Sequence, residues 1–237
     1  MLTTDASLPS FAPCRCLTCE ASVSSASLLC TDCFADLRLR LNVRSQRREH
    51  VPQLRVASAG SYEGAWRRLI QLAKSQPSGI LPTALAFWLR ALLLHWSTEL
   101  RAWEIDIIAW VPGHPLRRRL ETDLAGFMAA ELSRALGVPA RASLLTRRLR
   151  GWRDLWQSQK DRSRRDRLSA YGLFRSHHEA AAPGARVLLV DDVSTTGGSL
   201  RACREALEKK GFQVVGAFVL AHVPCPGAPV EADPRAE

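Results

Sequence analysis

The most informative segment of this 237-residue chain is Val187-Leu-Leu-Val-Asp-Asp-Val-Ser-Thr-Thr-Gly-Gly-Ser199. Its leading apolar residues predict a buried strand, and its glycine-rich turn opens directly into a helical pattern. Asp191 and Asp192 stand where that strand is expected to end. Ligands of parallel sheets bind at the carboxyl ends of the strands. The stretch therefore predicts a binding site together with a strand, a turn and a helix.

The turn after the strand has the chemistry of a phosphate site. A helix N-terminus offers unpaired N–H groups and a positive dipole end to an anion. Thr195, Thr196 and Ser199 add hydroxyl donors. Gly197 and Gly198 let the backbone approach a phosphate closely and adopt positive φ. An ordinary helix cap would explain Ser199, but it would not explain two acidic residues at the exit of an apolar strand.

The two adjacent carboxylates narrow the class of ligand. They would repel a phosphate unless something else binds them. Sugar hydroxyls, which donate hydrogen bonds, or a Mg²⁺ ion would serve. The loop lacks the Gly-Lys-Ser/Thr ending of a Walker loop and the Gly-x-Gly-x-x-Gly spacing of a dinucleotide turn. The predicted ligand is therefore a sugar phosphate.

Apolar runs alternate with amphipathic stretches around this segment. Strands that alternate with helices imply right-handed crossovers and a parallel sheet covered on both faces, so the predicted fold class is α/β with a parallel sheet. In the helix after the glycine turn, Cys203 falls on the apolar face and is expected to be buried. The predicted strands are 105–111, 187–190 and 214–220, and the predicted helices are 62–74, 81–100, 124–136 and 199–210.

Five of the seven cysteines lie within the first 33 residues. Cys16-x-x-Cys19 and Cys30-x-x-Cys33, with ten residues between the pairs, have the spacing of a zinc site. Four thiolates complete a tetrahedral shell, so we predict a structural Zn²⁺ ion at Cys16, Cys19, Cys30 and Cys33. A disulfide framework and a redox pair are disfavoured, because a reducing compartment is expected and a thioredoxin-like context is missing. Cys14 remains an alternative ligand to Cys16.

A second strand and turn precede three arginines in Asp106-Ile-Ile-Ala-Trp-Val-Pro-Gly-His-Pro-Leu-Arg-Arg-Arg119. Arginine pairs with phosphate oxygens through two parallel N–H bonds. Arg117, Arg118 and Arg119 are therefore candidate phosphate ligands. A solvated run of surface charge fits the same spacing.

Lysine and arginine number 33 against 23 acidic residues, which gives a net charge of +10. The excess is nearly all arginine, because the chain has only four lysines, and it makes a polyanion a candidate partner. Residues 141–167 hold ten basic side chains interleaved with Trp152 and Trp156, a pattern that can hold single-stranded DNA. The alternative for this run is a solvated helical face with its tryptophans turned to the core.

The cysteine and arginine clusters divide the chain. We expect a zinc-binding module at 1–36, an arginine-rich helix and linker at 37–58, the main domain at 59–222 and a flexible tail at 223–237. The start lacks the basic and apolar pattern of a secretory signal, and Arg90 interrupts the most apolar window. A cytoplasmic protein without a transmembrane segment is expected.

The stretch 187–199 resembles the phosphoribosyl pyrophosphate (PRPP) binding motif of type I phosphoribosyltransferases. With the four-cysteine module in front, the chain from residue 16 to about 222 resembles the ComF/GntX family, cytoplasmic proteins linked to competence and DNA uptake in some bacteria. The resemblance implies that the two aspartates hold the ribose hydroxyls and that the turn wraps the 5′-phosphate. It implies a pyrophosphate loop at Arg117, Arg118 and Arg119, and a PRPP-binding set of Asp191, Asp192, Ser194, Thr195, Thr196, Gly197, Gly198 and Ser199.

Two functions follow from the resemblance. A phosphoribosyltransferase would bind PRPP with Mg²⁺ and transfer the phosphoribosyl group to a nitrogen acceptor, which the sequence does not identify. The alternative is a non-catalytic PRPP sensor or DNA-uptake accessory protein that binds single-stranded DNA or docks on a helicase-like partner. The chain departs from the family where Leu120-Glu-Thr-Asp123 replaces Gly-Phe-Asn-Gln, which brings two carboxylates near the predicted pyrophosphate loop. Lys74, in a segment similar to one preceding the family's catalytic domain, has no predicted role.

Overall fold

The computed structural model describes residues 15–23, 27–40, 45–47, 54–76, 81–113, 123–147, 173–177 and 184–223. Its helices are α1 (Thr31–Arg40), α2 (Gly64–Lys74), α3 (Thr83–Leu100), α4 (Leu124–Leu136) and α5 (Gly198–Glu208). Its strands are β1 (Ser45–Arg47), β2 (Arg55–Ser58), β3 (Ile107–Trp110), β4 (Leu145–Arg147), β5 (Phe174–Ser176), β6 (Arg186–Ser194) and β7 (Gln213–His222). The four helices predicted in the main domain are confirmed to within two residues at each end.

The described strands form a five-stranded sheet in the order β1-β2-β7-β6-β3 and a separate two-stranded antiparallel sheet of β4 and β5. β2, β7, β6 and β3 run parallel, and β1 is antiparallel at the edge. Within the sheet, β6 pairs with β3 through Ile108 and Leu188 and with β7 through Leu189 and Ala217. The predicted α/β class with a parallel sheet is confirmed.

Helices cover both faces of the sheet. Side chains alternate between the faces of a strand. In β6, Leu188 and Val190 belong to the core beneath α2, α3 and α4. Val187 and Leu189 belong to the core beneath α5 and the β4–β5 sheet. All four are fully buried. The uninterrupted apolar run that predicted this strand therefore reflects burial on both faces. Cys203 of α5 is buried in the second core, as predicted.

The most apolar window of the sequence forms α3. One face of this helix is buried through Leu85, Leu89 and Leu93, whereas Arg90 on another face pairs with Glu131 of α4 at 3.0 Å. The helix is therefore part of the main core. Across the described ranges, none of the helices has the length and apolar character needed to cross a membrane.

The arginine-rich segment differs from its predicted structure. α1 ends at Arg40, and the range 37–58 that was expected as helix and linker also contains β1 and β2. In β2, Val56 is fully buried and pairs with Ala217 of β7. The range therefore contributes a strand to the main sheet. Its apolar run is too short for periodicity to reveal, and its partner strand lies far away in the sequence.

Gly216 in β7 is required by close packing. Trp103 lies against it, and the Arg55 guanidinium stacks 4.2 Å from the centroid of the Trp103 ring. A Cβ added at Gly216 would come within 2.8 Å of Trp103 Cε3 and 2.9 Å of the Arg55 carbonyl oxygen. A residue with a side chain would therefore force apart the strand and the tryptophan that packs on it.

Candidate functional site

β6 carries the acidic pair beyond the end of its neighbour. β3 ends at Trp110, which pairs with Val190, whereas β6 continues to Ser194 through its pairing with β7. The prediction that the strand ends at the aspartates is wrong, because Asp191 and Asp192 lie inside the strand. They lie in the part of β6 that extends beyond the end of β3 and, among the described strands, pairs only with β7. In the described part of the chain, the side of β6 where β3 would continue is therefore open at the carboxyl edge of the sheet.

The two aspartates point to opposite faces of the sheet, as neighbours in a strand do. Asp192 meets Lys74 of α2, with 2.8 Å between the lysine Nζ and Asp192 Oδ1. Asp191 lies on the side of Cys203 in α5. The pKa of the Cys203 thiol is raised well above its usual range, first by burial and then by the Asp191 carboxylate. The two aspartates therefore face different helical layers at the same edge of the sheet.

The surroundings of Asp191 disfavour its ionised form. Burial, followed by the neighbouring Asp192 carboxylate, raises the pKa of Asp191 well above its usual range. The Lys74 ammonium and the Asp192 N–H, which donates to Asp191 Oδ1 at 2.9 Å, act in the opposite direction. The Asp191 side chain is only partly buried, so a ligand hydroxyl can reach its carboxyl group and donate a hydrogen bond to it.

Lys74 is the site residue for which the sequence predicted no role. It is the last residue of α2 and is 31% exposed, against 21% for its partner Asp192. Burial lowers the pKa of Lys74, but the Asp192 and Asp191 carboxylates outweigh burial and raise it above its usual value. The available signal was compositional, because Lys74 is one of only four lysines in a chain rich in arginine.

The turn after β6 has the form expected of an anion site. Gly197 has the predicted positive φ, at 69°, but the same prediction is wrong for Gly198, which is the first residue of α5. No side chain caps the N-terminus of this helix. Ser199 therefore lies in the first helical turn and is not the cap. Thr195 and Ser199 are exposed and Thr196 is half-buried. A ligand can therefore reach these hydroxyls, whereas Gly197 and Gly198 are buried.

Asp123, which looked out of place beside a pyrophosphate loop, is a helix cap. Its Oδ1 accepts from Gly126 N at 3.0 Å, and its Oδ2 accepts from Trp110 Nε1 at 3.2 Å. Gly126 leaves room for this cap, because an added Cβ would lie 2.8 Å from Asp123 Oδ2. The carboxylate is still close enough to contribute to the raised pKa of Asp191. The departure from the family pattern therefore has a structural role at the start of α4.

Several predicted residues lie outside the described part of the chain. These are the candidate pyrophosphate ligands Arg117, Arg118 and Arg119, the alternative metal ligand Cys14, and the tryptophans Trp152 and Trp156 of the basic run.

The structure brings the four predicted cysteines together. The sulfur atoms of Cys16, Cys19, Cys30 and Cys33 all lie within 4.8 Å of one another, and those of Cys19 and Cys30 are 3.6 Å apart. A tight turn forms the first pair, with Glu20 N donating to Cys16 O at 3.0 Å and Glu20 at φ 64°. The start of α1 presents the second pair. This cluster could hold a metal ion.

The thiols of the cluster differ in acidity. Burial opposes ionisation of Cys16, but hydrogen bonds from Thr18 and from backbone N–H groups lower its pKa to about 5. The Thr18 hydroxyl favours the Cys33 thiolate, yet burial and the other three thiols raise the pKa of Cys33 to about 12. Without a cation, four neighbouring thiols cannot all ionise at neutral pH. The donor set therefore suits a metal that stabilises several thiolates at once.

α2 connects the cysteine cluster to the acidic pair. At its first turn, Ala65 N donates to Asp36 Oδ2 of α1 at 2.6 Å, whereas Lys74 at its last residue reaches Asp192. Between these ends, Trp66 Nε1 donates to Leu220 O of β7 at 3.0 Å. Leu37 of α1 is buried in the same core as Trp66. α2 is therefore fixed at its start by the helix that carries the second cysteine pair.

The chain is similar to several known proteins. The chain matches the family described as "Phosphoribosyl transferase domain" over residues 124–236. It is similar to adenine phosphoribosyltransferase of Leuconostoc citreum, 51% identical over 45 residues, and spans only 25% of that protein and 19% of its own length. A solved structure of adenine phosphoribosyltransferase from Leishmania donovani is 17% identical, with a TM-score of 0.41 and coverage of 75% of each chain.

A longer match decides the family. Adenine phosphoribosyltransferase of Symbiobacterium thermophilum is 32% identical over an alignment of 124 residues that covers 46% of this chain and 69% of that protein. The matched family segment contains β6, the acidic pair, the glycine turn and α5. The chain therefore belongs to the type I phosphoribosyltransferase family.

Proposed function

We propose that this protein binds PRPP at the carboxyl edge of its sheet and transfers the phosphoribosyl group to a nitrogen acceptor. The observation that carries the proposal is the acidic pair followed by the uncapped N-terminus of α5, inside the segment that matches the family. Carboxylates accept hydrogen bonds from ribose hydroxyls, and an open helix N-terminus accepts a phosphate. A ligand with both groups on one small ring fits this order of residues.

The residues of the site would have separate tasks. Asp191 and Asp192 would accept hydrogen bonds from the ribose 2′ and 3′ hydroxyls, and Ser194 would sit beside them at the end of β6. The turn from Thr195 through Ser199 would hold the 5′-phosphate with backbone N–H groups and hydroxyls. Arg117, Arg118 and Arg119 would pair with the pyrophosphate. Fixing the ribose in this way leaves its anomeric carbon to be attacked as pyrophosphate departs.

Mg²⁺ would arrive with PRPP. Among the described residues, the one cluster of three or more metal-ligating side chains is the four-cysteine cluster, whose soft sulfur donors do not suit Mg²⁺. The pyrophosphate oxygens would therefore supply most of the ligands that Mg²⁺ prefers. When bound, the ion would neutralise charge that develops on the leaving pyrophosphate.

The cysteine cluster is proposed to hold a structural Zn²⁺ ion. A zinc–sulfur bond of about 2.3 Å in a tetrahedron places the sulfur atoms roughly 3.8 Å apart. The 3.6 Å between the Cys19 and Cys30 sulfurs is close to that value. Four sulfur ligands leave no position for a substrate. The ion would therefore stabilise the module that fixes the start of α2.

This cluster in front of the phosphoribosyltransferase domain also supports the narrower assignment to the ComF/GntX family. With it come a cytoplasmic location, a role in competence and DNA uptake, and single-stranded DNA or a helicase-like protein as a partner. The DNA proposal is tested by the salt dependence of binding, because contacts to phosphates release counterions. We expect affinity for single-stranded DNA to fall steeply with salt. Lack of any binding at low salt would remove DNA as a partner.

The central proposal is tested by titration calorimetry with Mg²⁺ and PRPP. We expect binding heat for the wild-type protein and none for the double variant Asp191→Asn/Asp192→Asn. Asp32→Asn, which changes an exposed carboxylate on α1, is the matched control and should bind like the wild type. A wild-type protein that gives no heat would refute PRPP binding. Release of pyrophosphate in the presence of a panel of bases and amines would then separate an enzyme from a sensor.

A further inference from the structure

Lys74 places a positive charge beside a group of carboxylates at the carboxyl edge of the sheet. Asp191 and Asp192 lie next to each other, and Asp123 also acts on Asp191. A ligand with a phosphate would add negative charge at the same edge. Like charges a few ångströms apart repel strongly in a partly buried site. The ion pair from Lys74 to Asp192 cancels part of this repulsion before any ligand arrives.

The geometry of the ion pair leaves Lys74 able to act on a ligand. An ammonium group has three N–H donors, and the contact with Asp192 Oδ1 needs one of them. The side chain keeps 31% of its surface exposed. Its position at the end of α2 is fixed, because α2 is tied to β7 through Trp66 and to α1 through Asp36. Lys74 therefore extends from a fixed helix end, and its side chain is partly exposed to solvent.

We propose that Lys74 is a positioning residue of the phosphoribosyl site, which holds the Asp192 carboxylate in place for the ribose hydroxyls and compensates the charge of the acidic pair when an anionic sugar phosphate binds. This inference rests on the proposed function. It assigns part of the site to α2, which lies outside the matched family segment of residues 124–236.

The test is titration calorimetry with Mg²⁺ and PRPP on the full chain. We expect Lys74→Met to weaken binding at least tenfold and Lys74→Arg to recover most of that loss, because arginine restores the charge. Lys210→Met is the control, since Lys210 is exposed and follows the far end of α5 from the glycine turn. A Lys74→Met protein that binds like the wild type would overturn the inference. A loss that Lys74→Arg does not recover would also overturn it.

A double-mutant cycle separates positioning from general damage to the fold. If Lys74 acts through Asp192, the variant Lys74→Met/Asp192→Asn should bind PRPP with about the same affinity as the single variant that binds it less tightly. If the fold losses in PRPP affinity of the two single variants multiply in the double variant, the two residues act independently and the inference is overturned. Should Lys74→Met fail to fold, Lys74→Gln serves in its place. If the wild-type protein does not bind PRPP, the proposed function itself is refuted. If the wild-type protein binds PRPP and the Lys74 variant binds it equally tightly, only the inference is refuted.

Discussion

Replacing Asp36 should loosen α2 by a predictable amount. Its carboxylate accepts a 2.6 Å hydrogen bond from Ala65 N in the first turn of α2. The N-cap residue Glu63 makes no side-chain capping bond, so Asp36 of α1 does this work from a neighbouring helix. Loss of such a cap, together with its favourable position at the helix dipole, costs about 1–2 kcal/mol. For a chain of this size, we expect Asp36→Ala to lower the melting temperature by roughly 3–6 °C.

Scanning calorimetry on three proteins tests this reasoning. Asp36→Asn keeps an acceptor oxygen and loses the charge, so it should lose only the dipole contribution of about 0.3–1 kcal/mol. The expected order of melting temperatures is wild type, Asp36→Asn, Asp36→Ala. A melting temperature for Asp36→Ala within about 1 °C of the wild type would refute the assignment of Asp36 as the cap of α2.

Three further predictions concern stability. Asp191→Asn should raise the melting temperature of the ligand-free protein at pH 7, because the raised pKa of Asp191 makes its ionised form costly in the fold. This advantage should shrink as the pH falls towards 3.8, and an advantage that is constant with pH would contradict it. Gly216→Ala should cost more than about 2 kcal/mol in urea unfolding, and a smaller loss would show that Trp103 yields easily. Purified protein should contain about one zinc ion per chain and melt lower after chelation, whereas metal-free protein with unchanged melting would exclude a structural zinc.

The parts of the fold that sequence predicted well are those with a local cause. The apolar run of β6 is buried on both faces, so its pattern alone identified a strand. Paired cysteines two residues apart can be brought to one ion by short turns, and the four sulfurs do meet. The glycine turn could be predicted from its own residues, because glycine adopts the positive φ found at position 197 without steric cost.

The parts that escaped prediction depend on contacts between distant segments. β2 is a short strand whose order comes from pairing with β7. The ion pair between Lys74 and Asp192 joins α2 to a strand far along the chain, and no spacing rule links the two residues. Asp123 looked unfavourable as a charge, whereas the fold uses it to cap α4 and to bind the indole of Trp110.

The position of Lys74 limits how the domain can be moved between proteins. The segment that matches the family begins at Leu124, and the described residues that balance or cap near the acidic pair, Lys74 and Asp123, precede it. A graft of 124–236 alone would inherit both aspartates without their lysine. If Lys74 has the proposed role, a transplant that binds PRPP should include α2, whose first turn is capped by Asp36 of α1. The part of the chain that would have to be transferred is thus larger than the segment 124–236 that matches the family.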